Sequence, residues 1–499
     1  MKIKNILLAT AMASAIFASG PVVAKKSISQ KGIAKHPSKL KFEGRELYFA
    51  DAAKHQVKLD DGNIAYVVED SKFPLVRITV TSPIGNFILP ADEPVTGRMA
   101  MALLRDGGTK DMAPDAIDER LDFLATSISF STGATRSSAS IDTLANNLDE
   151  SLDLMFDMLT EARFDTERLQ INKDKALEGM RRRNDDTRTI EPRVWAELIR
   201  GENFYTNRMA TAEQVKAVDA DDMRDYVNTV FGSGQLLVSV SGAVDQASVV
   251  EKLNKQLARL PKQSAERSIP TDLMPQAPGL YGVDKDDVTQ TRVSIGHPGI
   301  KRDNPDYYAV QVMNDILGGG GFTSRITKRV RSDEGLAYSA GSRFSAGRHY
   351  NGQFRAYFQS KNPSVAQATA IVLEEIARIQ DTPVSEKELQ TSQEAQLTFL
   401  ADLYSNPQGK ANRFVADDLN DEAADYWKNY EKNIRAVSVA DVQRVAKKYL
   451  NKDQLRILLV GKLSEAEAGD GEHGTIESVT GLKMQRIALK DPLTLEPLK

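Results

Sequence analysis

Hydrophobic and polar positions repeat in the same order in the two halves of the chain. The pattern of 217–242 predicts a capped amphipathic helix followed by an apolar strand, and 436–461 repeats it at an offset of 219 residues. Upstream, 77–83 corresponds to 292–298 at an offset of 215 residues. A period of this length is far too long for a solenoid. The repeat therefore predicts two homologous domains.

The helical patterns within each half also correspond. Apolar periodicity predicts long helices over 141–164 and 167–186, and over 365–379 and 384–404. Strand patterns lie around these helices without regular strand-helix-strand alternation. Such a mixture is typical of an α+β fold in which helices cover a sheet.

Composition gives the predicted domain boundaries. Four prolines and few apolar clusters mark 261–285 as a linker. The first domain is then predicted over 46–260 and the second over 286–463. We expect the polar segment 464–499 to be a mobile C-terminal tail.

The N-terminus has the pattern of an export signal. Lys2 and Lys4 precede an apolar run over 6–17 and a small-residue cleavage site ending at Ala24. We therefore predict a signal peptide over 1–24 and a flexible leader over 25–45. The apolar run is too short for a membrane anchor. The chain has no cysteine, which excludes a lipid-anchored N-terminus and disulfides. These features predict a periplasmic protein, with secretion as the alternative.

Known catalytic motifs are missing from the sequence. The net charge of −4 gives no support for nucleic-acid binding. There is no cysteine nucleophile, Gly-x-Ser-x-Gly turn or phosphate-binding loop. The histidines are isolated from one another, whereas a zinc hydrolase needs about three ligands on one face; they are His36, His55, His297, His349 and His473. On these residues alone, the chain is expected to provide a binding surface.

The segment 318–344 contains the most unusual pattern. Four glycines, Gly318–Gly321, are followed by a short basic helix predicted from Thr323 or Ser324 to about Ser332, with Gly335 at its left-handed end. An alternating strand pattern follows. Arg331 and Tyr338 then flank a helix-to-strand corner, and both are hydrogen-bond donors. A capping or packing arginine and a half-buried strand tyrosine remain the alternative interpretation. The glycines could serve as a hinge, as a packing requirement or as part of a substrate path.

Taken together, these features resemble the M16 metallopeptidases, the pitrilysin and insulinase group. The resemblance covers about 46–463, and 312–344 is its most specific part. It implies two homologous M16-type domains of the LuxS/metallohydrolase-like kind. Each would pack helices on a mainly antiparallel sheet, and together they would form half of a clamshell.

The resemblance also shows where this chain departs from the family. The segment 96–109 resembles the helix that carries the family's inverted zinc motif, His-x-x-Glu-His. Met99 and Leu103 occupy the two ligand positions, and Ala102 occupies the general-base position. Glu178 lies near the family's remaining carboxylate ligand, and we interpret it as a solvated helix residue. The resemblance therefore implies a non-zinc member, with no cofactor of its own.

The family's second functional element is an Arg/Tyr pair spaced as Arg331 and Tyr338 are. The resemblance implies that these two residues hydrogen-bond a peptide carbonyl and assist catalysis in trans. The chain would then be one subunit of a heterodimeric periplasmic zinc peptidase that degrades peptides, with Zn²⁺ in the partner subunit. The alternatives are an inert M16-like scaffold or peptide-binding protein, and a zinc peptidase whose ligands the sequence does not reveal.

Overall fold

The two halves of the chain build two sheets of the same topology. The computed structural model describes residue 36 and residues 47–263 and 268–498. The first sheet consists of β1 (Gln56–Lys58), β2 (Ile64–Glu69), β3 (Leu75–Ser82), β4 (Ser127–Thr132), β5 (Ser137–Leu144) and β6 (Leu237–Gly242). The second half contributes β7 (Gly279–Asp284), β8 (Gln290–Pro298), β9 (Ile300–Lys301), β10 (Ala337–Phe344), β11 (Ala346–Gly347), β12 (Gln353–Lys361), β13 (Arg456–Gly461) and β14 (Met484–Arg486).

Strand order confirms the duplication read from the sequence. In the described residues, the sheets run β1-β2-β6-β3-β5-β4 and β14-β7-β13-β8-β12-β10, and β9 and β11 form a separate pair. Strands β2, β6, β3, β5 and β4 thus correspond in order to β7, β13, β8, β12 and β10. In both sheets the first two strands of this series are parallel, β2 with β6 and β7 with β13. The three pairings that follow along each sheet are antiparallel. Both sheets are mainly antiparallel, as predicted.

The helices follow the same repeat. The first half contains α1 (Thr96–Asp106), α2 (Pro114–Phe123), α3 (Leu148–Thr160), α4 (Thr166–Arg181), α5 (Thr187–Arg200), α6 (Ala212–Ala217), α7 (Ala220–Gly232) and α8 (Gln246–Leu257). The second contains α9 (Tyr307–Asn314), α10 (Arg325–Thr327), α11 (Val365–Asp381), α12 (Glu386–Thr398), α13 (Pro407–Asp418), α14 (Tyr426–Ala436), α15 (Val439–Tyr449), α16 (Leu463–Ala468) and α17 (Ile476–Thr480). Corresponding helices α7 and α15 both begin with a capping box, formed by Asp219 with Asp222 and by Ser438 with Asp441.

Three boundaries predicted from sequence differ in the structure. The predicted linker, 261–285, contains β7, and the predicted tail, 464–499, contains α17 and β14. Both segments contribute to the second sheet, because β14 pairs with β7 and β7 with β13. The helix predicted from residue 141 begins at Leu148, because the alternating residues before it form β5 and pair with β3. The predicted signal peptide and nearly all of the leader lie outside the described residues.

The two halves exchange helices. Helix α5, from the first half, packs on β13 and β7 of the second sheet through Ile190, Val194 and Trp195. Helix α13, from the second half, packs on β2 and β6 of the first sheet through Phe414 and its neighbours. Because each sheet is covered by a helix from the other half, Tyr48–Lys499 forms one compact unit.

A buried ion pair anchors α5 to the second sheet. Glu191 is 1% exposed and accepts two hydrogen bonds from the Arg355 Nη2 atom, at 2.7 and 2.9 Å. The Ser294 hydroxyl donates to the same carboxylate at 2.5 Å. Since an isolated buried charge is costly, these partners must be in place for α5 to dock.

A second charged cluster joins α9 to α15 and predicts a loss of stability in acid. Burial raises the pKa of Asp306, but hydrogen bonds from Lys448, Tyr449 and Arg444 outweigh it and lower the pKa to about 2. An unfolded aspartate has a pKa of about 3.9. The contribution of the Asp306 carboxylate is therefore fully present above about pH 4 and is lost as the pH falls towards 2, where the unfolded chain binds the proton first.

Replacing Asp306 by Asn tests this pH dependence. We expect Asp306→Asn to be less stable than the wild type at pH 7, and the difference to shrink between about pH 4 and pH 2. Urea denaturation at a series of pH values measures it. Asp453→Asn, which removes an exposed carboxylate that has no side-chain partner among the described residues, serves as the comparison. A difference that stays constant down to pH 2 would contradict the assignment to Asp306.

No helix in the described part of the chain combines the length and the apolar character needed to cross a bilayer.

Candidate functional site

Arg331 and Tyr338 lie on either side of the predicted helix-to-strand corner. Helix α10 continues into a π-helical segment, Lys328–Asp333, which carries Arg331. Gly335 then adopts a φ of 63°, a left-handed conformation that suits glycine, and β10 follows. π-Helical turns are rare and occur frequently at functional sites. The predicted helix and its glycine end are confirmed.

The start of this helix differs in one detail from the prediction. Ser324 occupies the position before α10, but its hydroxyl does not accept a backbone N–H of the helix. It donates instead to the Gly321 carbonyl at 2.7 Å and to the Thr327 hydroxyl at 2.9 Å. The hydroxyl therefore fixes the preceding turn and does not cap the helix.

A β-bulge at the beginning of β10 places Tyr338 at the surface. The register between β10 and β12 shifts between Ala337 and Ala340, so that Tyr338 and Ser339 have no partner in the ladder. Bulges of this kind redirect side chains and occur often beside active sites. Tyr338 is 85% exposed on what is an edge strand of the second sheet. The alternative interpretation of a half-buried tyrosine is wrong.

The Arg331 guanidinium lies between two aromatic rings. Its Cζ atom is 4.5 Å from the centroid of the Tyr338 ring and 4.5 Å from that of Phe322. Each such cation–π contact contributes about 0.5–1 kcal/mol at an exposed site. Within the described residues, the Arg331 side chain has no ion pair and no hydrogen bond. Its N–H donors and the Tyr338 hydroxyl therefore lie close together and remain available to a ligand.

Phe322 was not recognised in the sequence as part of this site. It is 67% exposed and follows directly after the four glycines. The sequence could have indicated it, because Phe322 is a large apolar residue within a run of Gly, Thr and Ser. Phe322 also lines a pocket of about 250 Å³ together with Asp315, Ile316 and Lys328. Burial raises the pKa of the Asp315 carboxyl in this pocket.

The first of the four glycines is required for packing. A Cβ atom on Gly318 would lie 2.4 Å from the backbone nitrogen of Ser342 in β10. Gly321, in contrast, has open space around it but a φ of 59°. Gly318 thus allows the π-helical segment Asp315–Gly319 to approach the strand that carries Tyr338.

We expect Gly318→Ala to lower the free energy of unfolding by about 1–3 kcal/mol, the usual cost of overpacking. Gly179→Ala is the matched control, because Gly179 lies in α4 and nothing lies within 4 Å of an added Cβ atom. Removing a glycine there should stabilise the helix by roughly 0.5–1 kcal/mol. Urea denaturation of both variants measures the difference. Equal stability of the two variants would contradict the packing role of Gly318.

The positions of the family's zinc motif lie on α1 and cannot hold a metal. Met99 is 3% exposed and Leu103 is fully buried, and both belong to the apolar core of the first sheet. Ala102 faces a pocket between α1 and α4. None of these side chains can coordinate zinc or act as a general base. The residues present do not fit the zinc site of the M16 metallopeptidases.

Other possible ligands do not restore such a site. Glu178 lies at the surface of α4, where it accepts hydrogen bonds from Arg181 at 3.1 Å and from Arg182 at 2.9 Å. This is the solvated helix residue that we predicted. His297 is buried near Phe344 and Phe354, and burial lowers its pKa. Among the residues that the structure describes, no three His, Cys, Asp or Glu side chains are grouped so that they could hold a metal ion.

Comparison with known proteins shows what this chain is similar to. Residues 217–396 match the model of the peptidase M16 inactive domain. A non-peptidase homolog named YmxG from Helicobacter pylori is 23% identical over 409 residues, covering 81% of this chain and 90% of the relative. A probable mitochondrial-processing peptidase subunit beta from Arabidopsis thaliana is 21% identical over 381 residues, covering 72% and 69%.

A solved structure shows the same fold. The crystal structure of a peptidase M16 inactive domain from Pseudomonas fluorescens matches with a TM-score of 0.72 and 20% identity, over 81% of this chain and 97% of that one. This chain has the M16 fold and is similar to M16 proteins of the inactive type. The predicted resemblance to the M16 proteins is confirmed.

Proposed function

We propose that the protein is the Arg/Tyr subunit of a heterodimeric zinc peptidase that degrades peptides. The observation that carries the proposal is the contact between two hydrogen-bond donors, the half-buried Arg331 and the exposed Tyr338, whose polar groups have no partner in the described residues. The stacking of the Arg331 guanidinium on the Tyr338 ring brings the donors of both side chains to one place. The apolar residues on α1 support a division of labour, in which another subunit provides the metal and the general base.

The chemistry required of Arg331 and Tyr338 is hydrogen bonding to a peptide carbonyl. As water adds to that carbonyl, its oxygen gains negative charge, and fixed N–H and O–H donors stabilise the charge best when they need not reorganise. The two aromatic rings contact the guanidinium, and the β-bulge places the phenol beside it at the surface. In this proposal the metal and the water that attacks the carbonyl belong to the partner subunit.

We further propose that the complex works in the periplasm. The export signal predicted at the N-terminus supports this location. One relative is named as a subunit of a processing peptidase, which supports a heteromeric assembly. Peptides would be the substrates, since the proposed site recognises main-chain carbonyl groups.

The second candidate function is an inert scaffold or peptide-binding protein. The name of the Helicobacter pylori relative, a non-peptidase homolog, favours it. A scaffold would form the same complex, but Arg331 and Tyr338 would not affect turnover.

Peptide cleavage by separated and combined subunits tests the proposed function. The isolated chain should cleave no peptide, and a mixture with the M16-like protein that co-purifies from the native cell should cleave peptides until a chelator is added. Chelator-sensitive cleavage by the isolated chain would show that it has a metal site of its own. A stable complex without cleavage would favour the scaffold.

A further inference from the structure

The pocket between α1 and α4 has a composition that the proposed function does not explain. It has a volume of about 460 Å³, within the range of roughly 300–1,000 Å³ typical of ligand pockets. Its lining consists of Arg98, Met99, Ala102, Asn172, Lys175, Ala176, Gly179, Met180 and Arg183. Met99 and Met180 are buried and give the pocket an apolar floor.

The charged groups of this pocket all have the same sign. Arg98, Lys175 and Arg183 line it, and no lining residue is acidic. Two acids are adjacent in sequence to lining residues, and neither lines the pocket: Asp174 accepts a hydrogen bond from Gln170, and Glu178 bonds to Arg181 and Arg182. Three cations around one concave surface repel one another and create a positive potential that attracts an anion.

The cations are not neutralised within the described part of the chain. Arg98 and Lys175 have no ion pair and no side-chain hydrogen bond there. Arg183 donates to the carbonyls of Ala210 and Pro492, both at 2.8 Å, which fixes its guanidinium without balancing its charge. Burial lowers the pKa of Arg183, and the charges of Arg193 and Arg98 lower it further, as expected when like charges lie close together.

We propose that this pocket binds a carboxylate of the bound peptide, a proposal that rests on the proposed peptide-binding function. Arg183 and the exposed side chains of Arg98 and Lys175 supply N–H donors, and charge-assisted hydrogen bonds to carboxylates are the stronger kind. The methionine floor accepts the aliphatic part of the residue that carries the carboxylate. The carboxylate comes from the peptide's C-terminus or from a Glu or Asp side chain.

Binding of labelled peptides to the isolated full-length chain tests this inference. Fluorescence anisotropy is measured with four versions of one peptide: with Glu or Gln at a single position, each ending in a free carboxylate or an amide. At least one of the two changes that remove a carboxylate should weaken binding about tenfold, which corresponds to roughly 1.4 kcal/mol. If amidation causes the loss, the pocket takes the C-terminus; if Gln causes it, the pocket takes the side chain.

The double variant Arg98→Ala, Lys175→Ala removes the two unpaired cations, both of which are exposed. It should bind peptides that carry the recognised carboxylate and peptides that lack it with equal affinity. Lys447→Ala, which removes an exposed cation from α15, should retain the full difference. Equal binding of all four peptides to the wild type, or an unchanged preference in the double variant, would overturn the proposal.

The same design separates this inference from the proposed function. A carboxylate preference that depends on Arg98 and Lys175 can be observed in the absence of any partner subunit and without cleavage. Failure of the catalytic proposal would appear as turnover that does not depend on Arg331. Circular dichroism of the double variant confirms that it is folded, so that a lost preference reports on the pocket.

Discussion

Arg331→Ala is expected to lower the kcat of the assembled peptidase about 100-fold while changing KM little. Removing one donor from an oxyanion-stabilising site typically costs a factor of 10²–10³ in kcat. A fall in kcat and kcat/KM by the same factor identifies an interaction made only in the transition state. Steady-state kinetics of peptide cleavage by the complex of this chain with its partner measures both constants.

Tyr338→Phe separates the hydroxyl from the ring in the same assay. The variant keeps an aromatic ring beside the Arg331 guanidinium and removes the phenol, so a fall in kcat reports the lost hydrogen bond. Arg343→Ala is the control, because Arg343 is an exposed arginine on β10, the strand that carries Tyr338, and has no ion pair among the described residues. It should leave kcat unchanged. Full turnover in both Arg331→Ala and Tyr338→Phe would contradict a catalytic role for the pair.

Glu191→Ala is expected to lower the free energy of unfolding by about 3–5 kcal/mol. Breaking an ion pair with a buried member has about this cost, because the half-buried Arg355 charge is left without its carboxylate partner. Here Arg355 would lose both hydrogen bonds to the carboxylate, and the buried Ser294 hydroxyl would lose its acceptor. Chemical denaturation followed by tryptophan fluorescence, to which Trp195 on the same helix contributes, measures the change.

Glu178→Ala provides the comparison for this stability prediction. Glu178 also bonds to arginines, but at the surface of α4, where ion pairs contribute about 0–1 kcal/mol. The two substitutions remove the same side chain from a buried and an exposed environment. A loss for Glu191→Ala no larger than that for Glu178→Ala would show that α5 docks on the second sheet without help from the buried pair.

Much of the fold could be predicted from local sequence patterns. The repeat of 217–242 at 436–461 gave the corresponding helix-strand units, because a capping box and an apolar strand are both visible in a short stretch. The exchange of α5 and α13 between the two halves could not be predicted. It depends on contacts between residues more than 100 positions apart, such as Glu191 with Arg355, and no local periodicity encodes them.

The candidate site, too, could be predicted only in part. The spacing of Arg331 and Tyr338 could be recognised because both lie in one motif with clear helix and strand patterns. The role of Phe322 in holding Arg331 was not, since aromatic stacking across a turn depends on the conformation of the glycines. Strand β14 was missed because three residues of a polar segment carry too little pattern to predict a strand.

Titration of this chain into a fixed amount of its partner subunit tests most directly whether it assists catalysis in trans. Wild-type chain should raise the rate of peptide cleavage until the subunits are equimolar. The double variant Arg331→Ala, Tyr338→Phe should bind the partner equally well but give little cleavage, and adding it to the active complex should inhibit by displacing the wild-type chain. If the double variant restores full cleavage, or if the partner alone is fully active, the account of this protein as a catalysis-assisting subunit is wrong.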